Sequence, residues 1–196
     1  MSRGVNENLV TYLAVGVPLG AFVPDEMAQN ASCHIRRAGR FFQMPLEPYE
    51  WWSSALDGIT EDDLRAIAAR HHDLDDFADN LAWFLESRLL LPWTGQDVDV
   101  ERFSDIRVIP WGIGAGNSIE DPVRFSIVSR QGVPAVAVDV MAYTIWSFCD
   151  GATTLEAVCR ATADHLQMAL DDVRHRALTL VPTLMRNGLA FLDLAA

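Results

Sequence analysis

Hydrophobic and polar residues in the second half of the chain follow two periods in succession. The residues over 133–138 alternate with a period of two, which predicts a strand, and β-rich runs predict two more over 106–111 and 124–129. Beyond them the apolar positions recur every three or four residues, which predicts helices. The predicted helices cover 142–150, a stretch that begins near 155, and 170–187, before a brief strand over 188–192.

The ends of these helices carry their own signals. Gly151 and Gly188 follow the first and third helices, where a left-handed residue commonly ends a helix. Thr153 followed by Glu156 predicts a capping box at the start of the second helix. Pro182 lies inside the third helix and predicts a kink.

The first half follows the same order. It predicts strands over 12–17, 33–37 and 40–44, and then helices over 48–56, from 61 with Thr60 as the cap, and over 75–90. The two halves also share short matches whose spacing drifts slowly along the chain. Val17-Pro18-Leu19-Gly20 matches Ile109-Pro110-Trp111-Gly112 at 92 positions, Asp57-Gly58 matches Asp150-Gly151 at 93, and Leu89 matches Leu189 at 100.

Matches that keep the same order along the chain indicate an internal duplication. We therefore predict an α+β protein with a first unit over 1–94, a polar linker over 95–100 and a second unit over 101–196. Each unit is expected to be a three-stranded antiparallel sheet followed by three helices.

The run Ile145-Trp146, Asp150-Gly151, Thr153-Thr154 and Glu156 is followed by an apolar helix, and Met185–Leu189 closes the pattern. This succession resembles the PqqD-like family of winged helix-turn-helix proteins. The resemblance covers 124–192, and it extends to 32–91 through the internal repeat. It implies that the chain is a tandem pair of winged helix-turn-helix units.

PqqD-like proteins bind the leader of a ribosomally made precursor peptide as an added strand, between the third strand and the third helix, and present the peptide to a modifying enzyme. The resemblance implies a non-catalytic peptide-binding adaptor with those two partners. In the second unit the implied groove residues are Val136, Ala137, Val138, Val173, Arg174, Ala177 and Val181. In the first unit they are Phe42, Met44 and Trp83.

Two of these residues have specific expected roles. Arg174 is expected to hold an acidic leader residue at the rim, and the small Ala177 is expected to give the groove depth. The alternative for Ala177 is that it packs into the core. Because the family unit is doubled here, one copy is expected to serve as an internal prop or as a docking surface for the enzyme.

The charge balance of the chain bears on its partners. The chain has 15 basic residues, all arginine, against 27 acidic ones, a formal net charge of -12. A field of this sign repels phosphate backbones and disfavours nucleic acid as a partner. The carboxylates over 57–79 are read either as a solvated face or as a surface for a basic partner.

No catalytic constellation, cofactor motif or metal site is expected. The glycine-rich run 112–118 lacks a Lys and a following helix, so it predicts a wing-like loop and not a phosphate site. Cys33-His34 predicts a strand with Cys33 inward, and His71-His72-Asp73 predicts a solvated helix end. Trp52 and Trp83 fit core spacing, whereas Trp51 is either a core residue or an exposed interface anchor.

Cysteine usage and hydropathy bear on location. Cys33, Cys149 and Cys159 form no spaced framework, which favours a reducing cytoplasm, with Cys149 and Cys159 as core residues. The apolar stretch 9–23 is too short and too broken to span a membrane.

Two further readings stay open. A homodimer is one open interpretation of the assembly. The alternative function is a structural or regulatory tandem winged-helix protein, either similar to the ScpB subunit of chromosome-condensation complexes or a transcriptional regulator. Asp75, Asp76 and Asp79 at the start of the third helix of the first unit disfavour DNA reading there, whereas Arg174, His175 and Arg176 keep it open in the second.

Overall fold

A computed structural model describes residues 10–22, 32–70, 75–130 and 135–195. Over these residues the chain is a mixed α+β fold with several small antiparallel sheets. The helices are α1 Leu46–Ser54, α2 Glu61–Arg70, α3 Phe77–Glu86, α4 Asp97–Val100, α5 Val140–Phe148, α6 Leu155–Leu166 and α7 Leu170–Arg186. The strands are β1 Thr11–Ala14, β2 Val17–Phe22, β3 Ser32–Arg37, β4 Arg40–Pro45, β5 Ile59–Thr60, β6 Leu90–Trp93, β7 Ile106–Pro110, β8 Ile113–Asn117, β9 Phe125–Val128, β10 Ala135–Val138 and β11 Ala190–Leu194.

The strands pair in the same way in both halves. Three consecutive strands form an antiparallel meander, β2-β3-β4 in the first half and β8-β9-β10 in the second. After three helices the closing strand returns to pair with the strand that opened the half, so that β1 pairs with β6 and β7 pairs with β11. Element order and strand pairing are therefore alike in the two halves.

This pairing corrects the predicted sheets. The first strand predicted in each half belongs not to the meander but to a separate sheet with the closing strand, and β2 and β8 were missed. The predicted strand 12–17 is interrupted at Gly16, which has a φ of 118°. The predicted wing-like loop 112–118 contains β8, whose Gly114 lets the strand pass close to α5: a Cβ at Gly114 would lie 3.2 Å from Trp146.

The predicted helices agree with the structure more closely than the predicted sheets do. Thr60 caps α2, since its Oγ1 accepts a hydrogen bond from the Asp63 amide at 3.2 Å. The cap of α6 is Thr154 and not Thr153, because Thr154 Oγ1 accepts from the Ala157 amide at 3.3 Å. The predicted cap is therefore displaced by one residue and is not a capping box, because the N3 residue is Ala157 and the Glu156 carboxylate pairs with Arg174. Pro182 lies inside the continuous α7.

Two hydrophobic cores meet at β1. Tyr12 and Ala14 face the core of the first half, whereas Leu13 and Val15 face the core of the second. This division follows from the alternation of side chains along a strand. Trp93 of β6 also enters the second core and donates from its indole Nε1 to the Leu178 carbonyl at 3.0 Å. The β1–β6 pair is thus part of both halves.

The segment predicted as a polar linker is folded around a buried carboxylate. Asp99 is fully buried, and its Oδ2 accepts from the amides of Thr94 and Gly95 at 2.7 and 2.8 Å. Its Oδ1 accepts from Arg102 Nη1 at 2.6 Å. Because each of these groups is satisfied by Asp99, the connection between the halves is a defined turn.

Candidate functional site

The strand β10 lies at one edge of its sheet. The order of that sheet is β10-β9-β8, with Val136 opposite Ile127 and Val138 opposite Phe125. Over the described residues β10 pairs with β9 alone. It contains neither charge nor proline, the features that commonly protect an edge from pairing. This edge can therefore accept the backbone of an extended peptide.

An ion pair connects the end of β10 to the helix α7. Asp139 follows β10 directly, and its Oδ2 accepts from Arg176 Nε at 2.9 Å and lies 2.7 Å from Nη2. Arg176 Nη1 also donates to Thr179 Oγ1 at 3.0 Å. Helical spacing places Thr183 on this same face of α7. The face of α7 that contacts Asp139 is therefore polar. The sequence analysis considered Arg176 only as a possible DNA contact and did not connect it with the end of β10.

The apolar residues predicted to line the groove lie elsewhere. Val173, Ala177 and Val181 are 0–1% exposed and belong to the core of the second half. The prediction that they border an open groove is wrong, and the alternative for Ala177, packing inward, is confirmed. Their spacing of four residues puts them on one helix face. Leu180 and Leu184 border that face, a signal of burial already present in the sequence.

Of the predicted β10 residues, Ala137 is the one that faces outward. Val138 is buried and Val136 packs partly against the core, whereas Ala137 lines a groove of about 320 Å³ on the outer face of the sheet. Its carbonyl accepts a hydrogen bond from Arg124 Nη2 at 2.5 Å. The fully exposed Ile119 forms part of the groove wall. The groove offers small side chains and one apolar wall beside the free edge.

Arg174 is not a free cation at a rim. Its Nε and Nη2 donate to the two carboxylate oxygens of Glu156 at 3.0 and 2.5 Å, and its Nη1 donates to Asp171 at 3.0 Å. The hydrogen bonds from Arg174 hold the pKa of Glu156 below its ordinary value. Because two carboxylates already neutralise Arg174, the expected role of holding a leader carboxylate is not supported by its surroundings.

The Arg174 network borders a larger cleft of about 550 Å³ between α4 and the N-terminal ends of α6 and α7. His175 Nε2 lies 3.0 Å from the Asp97 carboxylate at this cleft. Counted by side chains, the lining is mainly acidic. Its ionisable residues are Asp97, Glu101, Glu156, Asp171, Arg174 and His175.

The candidates in the first half are also divided between core and surface. Met44 is buried, and Phe42 packs partly against the core below the Arg37 guanidinium, which lies 4.3 Å from the ring centre. Trp83 is 48% exposed and packs edge-on against Phe84 at 5.0 Å, so its predicted core position is wrong. The large apolar residue of β4 that faces solvent is Phe41, 76% exposed, which the sequence analysis did not single out.

The cysteines are unsuited to nucleophilic chemistry. All three are buried, and burial raises the pKa of the Cys149 and Cys159 thiols to about 12, so both are thiols at neutral pH. Over the described ranges no group of three His, Cys, Asp or Glu side chains could hold a metal ion. The His71-His72-Asp73 run lies outside the described residues.

Neither hydropathy nor comparison with known proteins points to a function for this site. No helix among the described residues is both long and apolar enough to cross a membrane. Comparisons with family models, curated protein sequences and solved structures found no match to this chain. The function is therefore argued from the residues and contacts above.

Proposed function

We propose that the chain is a tandem winged helix-turn-helix protein, similar to the PqqD-like family, that binds a leader peptide without catalysis and presents it to a modifying enzyme. The like element order of the halves supports the tandem arrangement. Details at matched positions support it too: Gly58 and Gly151 have φ values of 79° and 75°. The Leu89 and Leu189 amides close α3 and α7 on the carbonyls five residues earlier, at 2.9 and 2.8 Å.

The observation that carries the proposed function is the uncharged free edge of β10 held next to α7 by the Asp139–Arg176 pair. A peptide laid along this edge would exchange backbone hydrogen bonds with β10. Alternate side chains would point to the outer groove beside Ala137 and towards the polar face with Arg176 and Thr179. The pairing supplies affinity and the two surfaces supply selectivity.

The contacts of α7 count against the alternative of a DNA-reading regulator. Arg174, His175 and Arg176 lie on the helix that would read a groove, and each already faces a carboxylate of this chain. Phosphate contacts would have to displace those carboxylates on a protein with a net charge of -12. A structural role similar to that of ScpB uses the same fold, and it differs in not requiring the β10 edge to bind a peptide.

A peptide titration separates these functions. Peptides synthesised from short reading frames encoded beside the gene are labelled with fluorescein, and binding is followed by anisotropy. Thr179→Trp places a large ring on the exposed helix face next to β10, so we expect at least about tenfold weaker binding with an unchanged melting temperature.

The matched control is Ala161→Trp, which adds the same ring at an exposed position of α6 and should leave binding unchanged. If Thr179→Trp binds the peptide as tightly as the parent protein, the β10 edge is not the peptide-binding site. If no peptide encoded nearby binds the parent protein, the adaptor function itself is wrong.

A further inference from the structure

The β3–β4 hairpin is positively charged on a strongly acidic protein. Its residues, 32–45, include three of the 15 arginines, Arg36, Arg37 and Arg40, and none of the 27 Asp and Glu residues. The strands on both sides of the turn thus have a charge opposite to that of the chain as a whole.

The outer face of this hairpin combines charge with an exposed ring. Arg36 of β3 lies directly opposite Phe41 of β4, so both side chains project from the same face of the sheet. Both are exposed, Phe41 to 76%, and Arg40 is exposed at the turn. Leu19 on the neighbouring β2 is 49% exposed. A phenylalanine ring exposed to this extent can pack against an apolar side chain of a partner.

The turn of the hairpin contacts the carboxylate of Asp193, whose Oδ1 accepts a hydrogen bond from the Ala38 amide at 2.7 Å. Arg36 and Arg40 form no ion pair with any residue that the structure describes. Arg37 stacks on Phe42, and its buried Nε and Nη1 lack hydrogen-bond partners within the described chain. Burial, and then the charges of Arg88 and Arg40, lower the pKa of Arg37, whereas Asp193 acts in the opposite direction. Positive charge predominates around the hairpin.

We propose that Arg36, Arg40 and Phe41, here called the arginine–phenylalanine surface, dock an acidic segment of a partner protein that also carries an apolar side chain. Charge complementarity carries the choice of partner, because guanidinium groups pair strongly with carboxylates, often through two hydrogen bonds. The apolar side chain packs on the Phe41 ring. β4 is an edge strand of its sheet in the described chain, so an extended segment can also pair with its backbone as far as Pro45.

This surface differs from the β10 edge in position and in chemistry. It lies in the other half of the chain, and it selects for negative charge where β10 is uncharged. The proposal therefore does not rest on leader binding. A phosphate polymer fits the surface less well, because a long polyanion would extend beyond the hairpin onto a protein whose net charge is -12. An anionic membrane would meet the same net charge of -12.

The test uses the full chain and a defined probe. The probe is a fluorescein-labelled peptide of Glu and Leu residues, compared with the same peptide containing Gln in place of Glu. By anisotropy at low salt we expect the acidic peptide to bind at least about fivefold more tightly than the neutral one, with the difference decreasing as salt increases.

Variants assign the binding to the surface. Arg36→Glu combined with Arg40→Glu should abolish the preference for the acidic peptide. Phe41→Ser should weaken binding about threefold without a change in melting temperature, because the ring is exposed. Arg186→Glu makes the same charge change at an exposed position at the end of α7 and should leave binding unchanged, as should Thr179→Trp.

Four outcomes would overturn the proposal. Equal binding of the two peptides would show that the protein does not select for negative charge. Unaltered binding by the double variant and by Phe41→Ser would show that the arginine–phenylalanine surface is not the binding site. Tighter binding of a single-stranded oligonucleotide or of vesicles with phosphatidylserine through the same arginines would assign another class of partner. A doubled mass in light scattering that Arg36→Glu abolishes would assign the surface to a second copy of this chain.

Discussion

The two halves of the molecule have the same order of elements around cores of different character. In the first half Trp51 packs on Phe77 and Phe84, with ring centres 5.2 and 6.2 Å away. At the spacing of 100 that matches Leu89 with Leu189, Phe77 and Phe84 correspond to Ala177 and Leu184, which are equally buried. Equivalent positions on the third helices thus accept aromatic side chains in the first half and aliphatic ones in the second, because total filling matters more than the identity of each side chain.

The difference is greater at the sheet edges than in the cores. β4 reads Arg-Phe-Phe-Gln-Met-Pro, with charge and an exposed ring, whereas β10 reads Ala-Val-Ala-Val. These strands occupy the same place in the element order of their halves. Equivalent positions therefore present chemically opposite surfaces, which suits two different partners better than two copies of one partner.

The largest expected effect tests the aromatic core. Phe77→Ala should lower the free energy of unfolding by about 3–5 kcal/mol, because it leaves a cavity next to Trp51. Urea denaturation followed by circular dichroism measures the loss. The control is Trp83→Ala on the same helix, which removes a ring that is 48% exposed and should cost less than about 1 kcal/mol. Equal losses for the two variants would mean that Phe77 is not a centre of this core.

A smaller effect is expected at Ala177 of α7, the position in the second half that matches Phe77. Ala177→Trp should lower the free energy of unfolding by about 1–3 kcal/mol, because the fully buried site has no room for an indole. Thermal unfolding measures the loss, with Thr179→Trp as the exposed control half a turn away. A variant that keeps full stability but binds peptide poorly would restore Ala177 as a groove residue.

The smallest effect concerns the ion pair between α6 and α7. Arg174 holds the pKa of Glu156 below its unfolded value, so the ionised pair contributes stability above that value and loses it as the pH falls. Glu156→Gln should therefore cost about 1 kcal/mol near neutral pH, and the cost should shrink below about pH 4. Urea denaturation across this pH range measures it. Asp164→Asn, an exposed change on the same helix, is the control, and a cost that persists in acid would contradict the pair as its source.

The sequence predicted those features that depend on residues close together in the chain, and it missed features that depend on distant residues. Helix positions followed from spacing, and the caps at Thr60 and after Gly151 were found to within a residue, because capping bonds join residues three positions apart. β8 was missed because its glycines indicate a loop unless the close approach of Trp146 to Gly114 is known. Among the site residues, Ala137 lines a groove on the outer face of the sheet and not the groove between strand and helix that the resemblance implies. Arg176 was considered only as a possible DNA contact, and Thr179 had no signal that set it apart.

The sequence by itself determined the α+β class, the positions of the main helices, and the likeness of the two halves, because each depends on periodicity and on short-range turns. The tertiary structure alone decided that β1 pairs with β6 and is buried by both cores. It also decided that Arg174 is neutralised by Glu156, and that Val173, Ala177 and Val181 face inward. These features join residues far apart in the chain, and which face of a helix is buried or which cation meets a carboxylate is settled only when the elements pack.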